Sequence, residues 1–180
     1  MLICCVGLTA VASPPEAWFG RSSAMILLPP GGTRIDVAYV PSGTAIRVGR
    51  AVMPRVEVAA SSCPSDAFDL AVKIALARDL APLFVAATLG TDGIGVVSTL
   101  FFGPVRIDWG RAWGERASRW GSVQLSARPR LSMFVGVDAA KTPVDPFVGV
   151  RVFPGGHGLW EIGISMWRDG PRLSIGGALW

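Results

Sequence analysis

The chain has 180 residues, 51% of them hydrophobic and only 17% charged, with 22 Gly and 14 Pro. This length fits one domain. The abundance of Val, Ile, Leu and Trp excludes a disordered chain, and the Gly and Pro content excludes a long coiled coil. No run of about 18 apolar residues follows the N-terminus, which excludes a bundle of membrane helices.

Met1 to Ala12 reads MLICCVGLTAVA, a short apolar segment ending in Ala10-Val11-Ala12, a small-x-small cleavage pattern. It is expected to be a signal peptide, although no base precedes the apolar run. Cleavage would remove Cys4 and Cys5 and leave Cys63 without an intramolecular disulfide partner. Residues 13–32, with Pro14-Pro15, Pro29-Pro30 and Gly31-Gly32, read as a lead-in, and residues 33–180 as the folded domain.

From Thr33 onward apolar and polar or small residues alternate with a period of two, the signature of strands with one apolar face. The pattern predicts strands over 33–40, 44–49, 54–60, 67–77, 82–90, 94–102, 105–111, 119–128, 130–138, 144–153, 158–167 and 171–180. Turn residues separate them, among them Pro41-Ser42-Gly43, Thr91-Asp92-Gly93, Gly103-Pro104, Pro154-Gly155-Gly156 and Asp169-Gly170-Pro171. Residues 66–81 are rich in Ala and Leu, and helix is the competing reading there. Alternation from Phe68 to Leu76 and the β-branched Val72 and Ile74 favour strand. Most strands reach about nine to eleven residues, enough to cross a bilayer when tilted.

No strand interior needs a charge on its apolar face. The opposite faces carry eight bases, Arg34, Arg47, Arg55, Lys73, Arg106, Arg128, Arg151 and Arg172, and seven acids, Asp36, Glu57, Asp69, Asp108, Asp138, Asp145 and Glu161. The rest of the polar face is mostly Gly, Ala, Ser, Thr and Phe. A soluble surface holds about 25–35% charged residues, whereas small residues and matched charges suit a crowded interior. The expected fold is therefore all-β, an antiparallel up-and-down transmembrane barrel of about twelve strands, ten being the alternative. An even number supports a strand at 66–81. The lipid bilayer is the expected surrounding. Leu70, Val72, Ile74, Val135, Val150, Ile162 and Ile164 should face lipid, and Trp109, Trp120, Trp160 and Trp167, near strand ends, should sit at the membrane interfaces. Ala112 to Ser118 is expected to be the longest connection, at the end away from the termini.

The last ten residues, PRLSIGGALW, resemble the C-terminal assembly signal of bacterial outer-membrane β-barrel proteins. The resemblance implies an outer-membrane location and handling by the barrel-assembly machinery through the final strand. Leu173, Ile175 and Leu179 share one face and Trp180 falls on the other, unless a bulge near Gly176-Gly177 shifts the phase.

The net charge of +4 comes from bases scattered among acids, so no nucleic-acid partner is expected without a clustered basic stripe. No pattern for a cofactor or metal is present, and none is expected. His157, the single histidine, lies in a glycine-rich turn with no His-x-Ser pairing, so an enzyme is not expected. A small channel or envelope scaffold follows, with service to polysaccharide or lipid export as one form of it. A soluble periplasmic barrel binding an apolar ligand is the alternative.

Overall fold

The computed structural model describes residues 29–41, 43–63, 66–77, 82–91, 93–114, 118–128, 130–139, 144–154, 160–168 and 170–179. Twelve strands follow one another: β1 (Thr33–Val40), β2 (Gly43–Met53), β3 (Val56–Cys63), β4 (Asp66–Ala77), β5 (Leu83–Gly90), β6 (Gly93–Phe102), β7 (Val105–Gly114), β8 (Ser118–Arg128), β9 (Leu131–Asp138), β10 (Asp145–Val152), β11 (Trp160–Trp167) and β12 (Gly170–Leu179). Each pairs antiparallel with its neighbours in sequence, and β1 pairs with β12 to close the barrel. Closure leaves no edge strand exposed. The ambiguous stretch at 66–81 is strand over Asp66–Ala77. It lies between β3 and β5, where both its backbone edges find partners.

The period-two pattern becomes an inside and an outside. On β1, Ile35, Val37 and Tyr39 are exposed while Arg34, Asp36 and Ala38 are buried. On β11, Trp160, Ile162, Ile164 and Met166 are exposed while Glu161 and Ser165 are buried. Apolar side chains thus cover the outer wall, and small, polar and charged ones fill the interior. This is the reverse of a soluble barrel, in which burial of apolar surface drives folding.

The connections are short. A two-residue turn at Gly103-Pro104 joins β6 to β7, with Gly103 at φ 54, a left-handed conformation that glycine adopts without steric cost. At the end carrying the termini the connections are 54–55, 78–82, 103–104, 129–130 and 153–159. At the other end they are 41–42, 64–65, 91–92, 115–117, 139–144 and 168–169. The expectation of a long connection at Ala112 to Ser118 is corrected: β7 runs on to Gly114, and the longest connection is 153–159, at the terminal end. Ahead of β1, the Gly31 amide donates to the Ala51 carbonyl at 2.7 Å and the Ala51 amide to the Gly32 carbonyl at 3.0 Å, which ties the entering chain to β2.

β12 pairs with both neighbours without a register shift through Gly176 and Gly177, so no bulge there changes the phase of the final strand. Trp180 lies outside the described residues, as do residues 1–12, with the expected signal and its two cysteines, and His157.

Candidate functional site: the charged interior

A continuous chain of alternating charge runs around one wall of the barrel. Glu161 Oε1 on β11 lies 2.9 Å from Arg34 Nη2 on β1 as an ion pair, and Arg34 Nε lies 2.6 Å from Asp36 Oδ1. Asp36 lies 3.8 Å from Arg47 of β2, Arg47 is 2.7 Å from Glu57 of β3, and Glu57 is 3.2 Å from Lys73 of β4. All six groups are buried. Desolvating each charge alone would cost several kcal/mol, and the alternation of sign with close contact offsets that cost.

Register explains how Arg34 reaches Glu161. Glu161 is opposite Gly176 on β12, and Gly176 is opposite Asp36 on β1. A Cβ on Gly176 would collide with the Asp36 carboxylate and the Arg34 guanidinium. The glycine is the gap through which the chain of charge crosses β12. Gly176→Ala is expected to destabilise the barrel by about 1–3 kcal/mol through overpacking, read from the urea midpoint in lipid vesicles. An unchanged midpoint would mean that these charges have slack.

Other interior charges are held by further contacts. Asp108 of β7 accepts from Thr99 Oγ1 and from Arg106 Nε, each at 2.6 Å. Arg151 donates to Gln124 Oε1 at 2.9 Å and lies 4.3 Å from the centre of the Phe134 ring. Arg172 lies 4.1 Å from the Trp167 ring, which stacks on Phe147 at 4.3 Å. Asp138 and Asp145 are directly opposed across β9 and β10 and both buried. Expected interleaving of acid and base therefore gives way there to two adjacent acids, near the end away from the termini.

Large side chains reach this interior by lying over glycines on the next strand. Phe134 is opposite Gly149, Phe147 opposite Gly136, and Trp120 opposite Gly110, and each ring fills the space a Cβ would need. Cross-strand aromatic cover of a glycine restores packing that the missing side chain would forfeit.

Four expectations about individual residues are corrected. Arg55 is exposed, because β3 begins at Val56 and Pro54-Arg55 form the turn before it. Arg128 is exposed because β8 shifts register between Leu125 and Arg128, which turns it from the inner row to the outer one. Trp120 and Trp167 are not at the outer surface: they are 4% and 3% exposed and point inward. Proximity to strand ends suggested an interface, but each has the opposite parity to the outward residues of its strand, Val123 and Leu125 on β8 and Ile162, Ile164 and Met166 on β11. Trp109 and Trp160 do lie outside, and so do Leu70, Val135, Val150, Ile162 and Ile164, while Val72 and Ile74 are half-exposed on the same outer rows.

Asp69 sits opposite Ser61 in the register, and its side chain lies outside the described ones. Among the described residues the interior then holds six bases, Arg34, Arg47, Lys73, Arg106, Arg151 and Arg172, and six acids, Asp36, Glu57, Asp108, Asp138, Asp145 and Glu161. The expected small excess of positive charge inside disappears with Arg55 and Arg128.

A closed barrel with an apolar outer wall and a charged interior is the arrangement of a membrane-spanning β-barrel. The likeness to solved structures is to such proteins. A KdgM porin matches with a TM-score of 0.57 and 6% identity, over 83% of this chain and 98% of that one. A KdgM porin in complex with disordered oligogalacturonate gives 0.58 and 8%, over 83% and 98%. The Acinetobacter baumannii outer membrane protein Omp33 gives 0.53 and 10%, over 82% and 96%. The chain has the fold of the outer-membrane barrel porins. No protein-family model and no curated protein sequence matches it.

Proposed function

We propose that the protein is an integral barrel of the bacterial outer membrane whose polar interior serves as a narrow passage for small solutes, or as an envelope scaffold. The observation that carries this reading is the outward turn of the apolar rows around a closed ring of charge-filled interior. A soluble barrel holding an apolar ligand would need the opposite arrangement, so that alternative is not favoured. Passage is narrow because the ion chain and the aromatic groups occupy the interior: Glu161, Asp36, Asp108 and Asp138 are at most 2% exposed.

Delivery to the membrane would use the N-terminal segment as export signal and the final strand as the recognition element for the barrel-assembly machinery. Service to polysaccharide or lipid export is a finer form of the same role. A neighbour of this fold is described with oligogalacturonate, but the equal numbers of interior acids and bases here give no reason to favour a polyanion.

Reconstitution into a planar bilayer tests the channel. Small unitary steps are expected, with a reversal potential near zero under a KCl gradient, since six bases face six acids among the described interior residues. Strong anion selectivity would refute the balance, and a chain that stays soluble without detergent and never inserts would refute the membrane reading. Loss of envelope polysaccharide or lipid on deletion of the chain would support the export role.

A further inference from the structure

Every carboxylate among the described side chains lies inside the barrel. The exposed charges among those residues are all arginines, and they lie at or near the strand ends. Two of them form a pair. Arg111 of β7 and Arg119 of β8 are direct cross-strand partners, both exposed and both on outward rows. Adjacent strands lie about 4.8 Å apart, and like charges directly opposite one another destabilise a sheet. Among the described residues no carboxylate shares their surface.

The surroundings are apolar. Val96 is opposite Arg111 on its other side. Trp109 and Trp113 precede and follow Arg111 on the outward row of β7, and both are exposed. The Arg111 guanidinium lies 5.1 Å from the centre of the Trp113 ring. Tryptophans on the outside of a barrel mark the depth of the lipid headgroups. The pair is near the end opposite the chain termini, since β7 runs toward that end.

We propose that Arg111 and Arg119 clamp the phosphate of an anionic membrane lipid in the leaflet at that end. The inference rests on the membrane-spanning reading of the barrel. Guanidinium groups present planar forks that match phosphate oxygens. One phosphate between two forks converts a repulsive pair into a bridged one. Trp109 and Trp113 supply apolar walls for the glycerol and upper acyl segments, a contact a free phosphate ion would not use.

The test compares the wild-type barrel with Arg111→Gln/Arg119→Gln in vesicles of phosphatidylcholine, with and without phosphatidylglycerol. The readout is the urea midpoint of unfolding. The wild-type midpoint should rise with phosphatidylglycerol, and the double variant should lose most of that rise. In phosphatidylcholine alone the variant should be at least as stable as wild type, because its repulsion is gone. Arg50→Gln/Arg168→Gln removes the same charge from two separated positions and should keep the rise. An equal loss of the rise in both double variants would show diffuse surface charge and overturn the clamp. So would an equal rise produced by inorganic phosphate over phosphatidylcholine vesicles, which would mark a free-anion site. A wild-type chain that enters both vesicles with the same midpoint overturns the clamp alone. One that enters neither overturns the membrane reading and the clamp with it.

Discussion

Glu161→Arg is expected to prevent folding of the barrel or to weaken it by about 3–5 kcal/mol, the cost of breaking a buried ion pair from one side. Glu161 is 2% exposed and pairs with Arg34. Reversal would put a second guanidinium beside Arg34, whose other carboxylate partner, Asp36, also lies within reach of Arg47. Asp36 would then lie among three bases, of which Arg47 also keeps Glu57. The effect would show as a lost heat-resistant band on a gel and a lower urea midpoint. Glu161→Gln keeps the shape and should fall between the two. A reversal that costs under about 1 kcal/mol would place Glu161 in water, where ion pairs contribute little, and would contradict the packed interior.

Ile164→Arg should cost about 2–4 kcal/mol if residue 164 lies near the bilayer midplane. Ile164 is 62% exposed in the middle of β11, and its row continues into Val150 on β10 and Leu173 on β12, so its cross-strand neighbours among the described residues offer no acid to compensate. On a water-facing wall the same change would be nearly neutral or would improve solubility. A spin label at 164 gives an independent measure: contact with lipid-soluble oxygen is expected, and contact with a water-soluble relaxant would reverse the assignment of the two faces.

Much of this architecture was legible in the alternation. Rows such as Trp160, Ile162, Ile164 and Met166 declare a strand with one apolar face, and their number declares the barrel. The sidedness of Trp120 and Trp167 was also legible, because parity with Val123 and with Ile162 sets it; position near a strand end misled. The exposure of Arg128 was not legible. It follows from a register shift, and a bulge of one residue leaves no mark on a strand that ends in Ser, Ala and Arg. Nor could the sequence reveal that Gly149 lies under Phe134 or that Gly176 opens a path for Arg34. Those depend on which residues stand opposite one another, and alternation along a strand carries no information about register across strands. The Arg111–Arg119 pair is of the same kind, two separated arginines until β7 and β8 are aligned.

Consecutive strands are neighbours everywhere except at the pairing of β1 with β12. Hairpin turns hold each consecutive pair to within a small range of offsets, but no turn joins the first strand to the last. While the chain is being threaded into place, that junction is the one at which a misaligned closure is free to form. The contact between Glu161 and Arg34 spans it, passing over Gly176. A slip of one residue there would carry Arg34 and Asp36 to the outer wall, where hydrocarbon cannot solvate them, and would take Arg34 away from Glu161. The Glu161–Arg34 contact therefore favours the aligned closure at the single junction that chain connectivity leaves unconstrained.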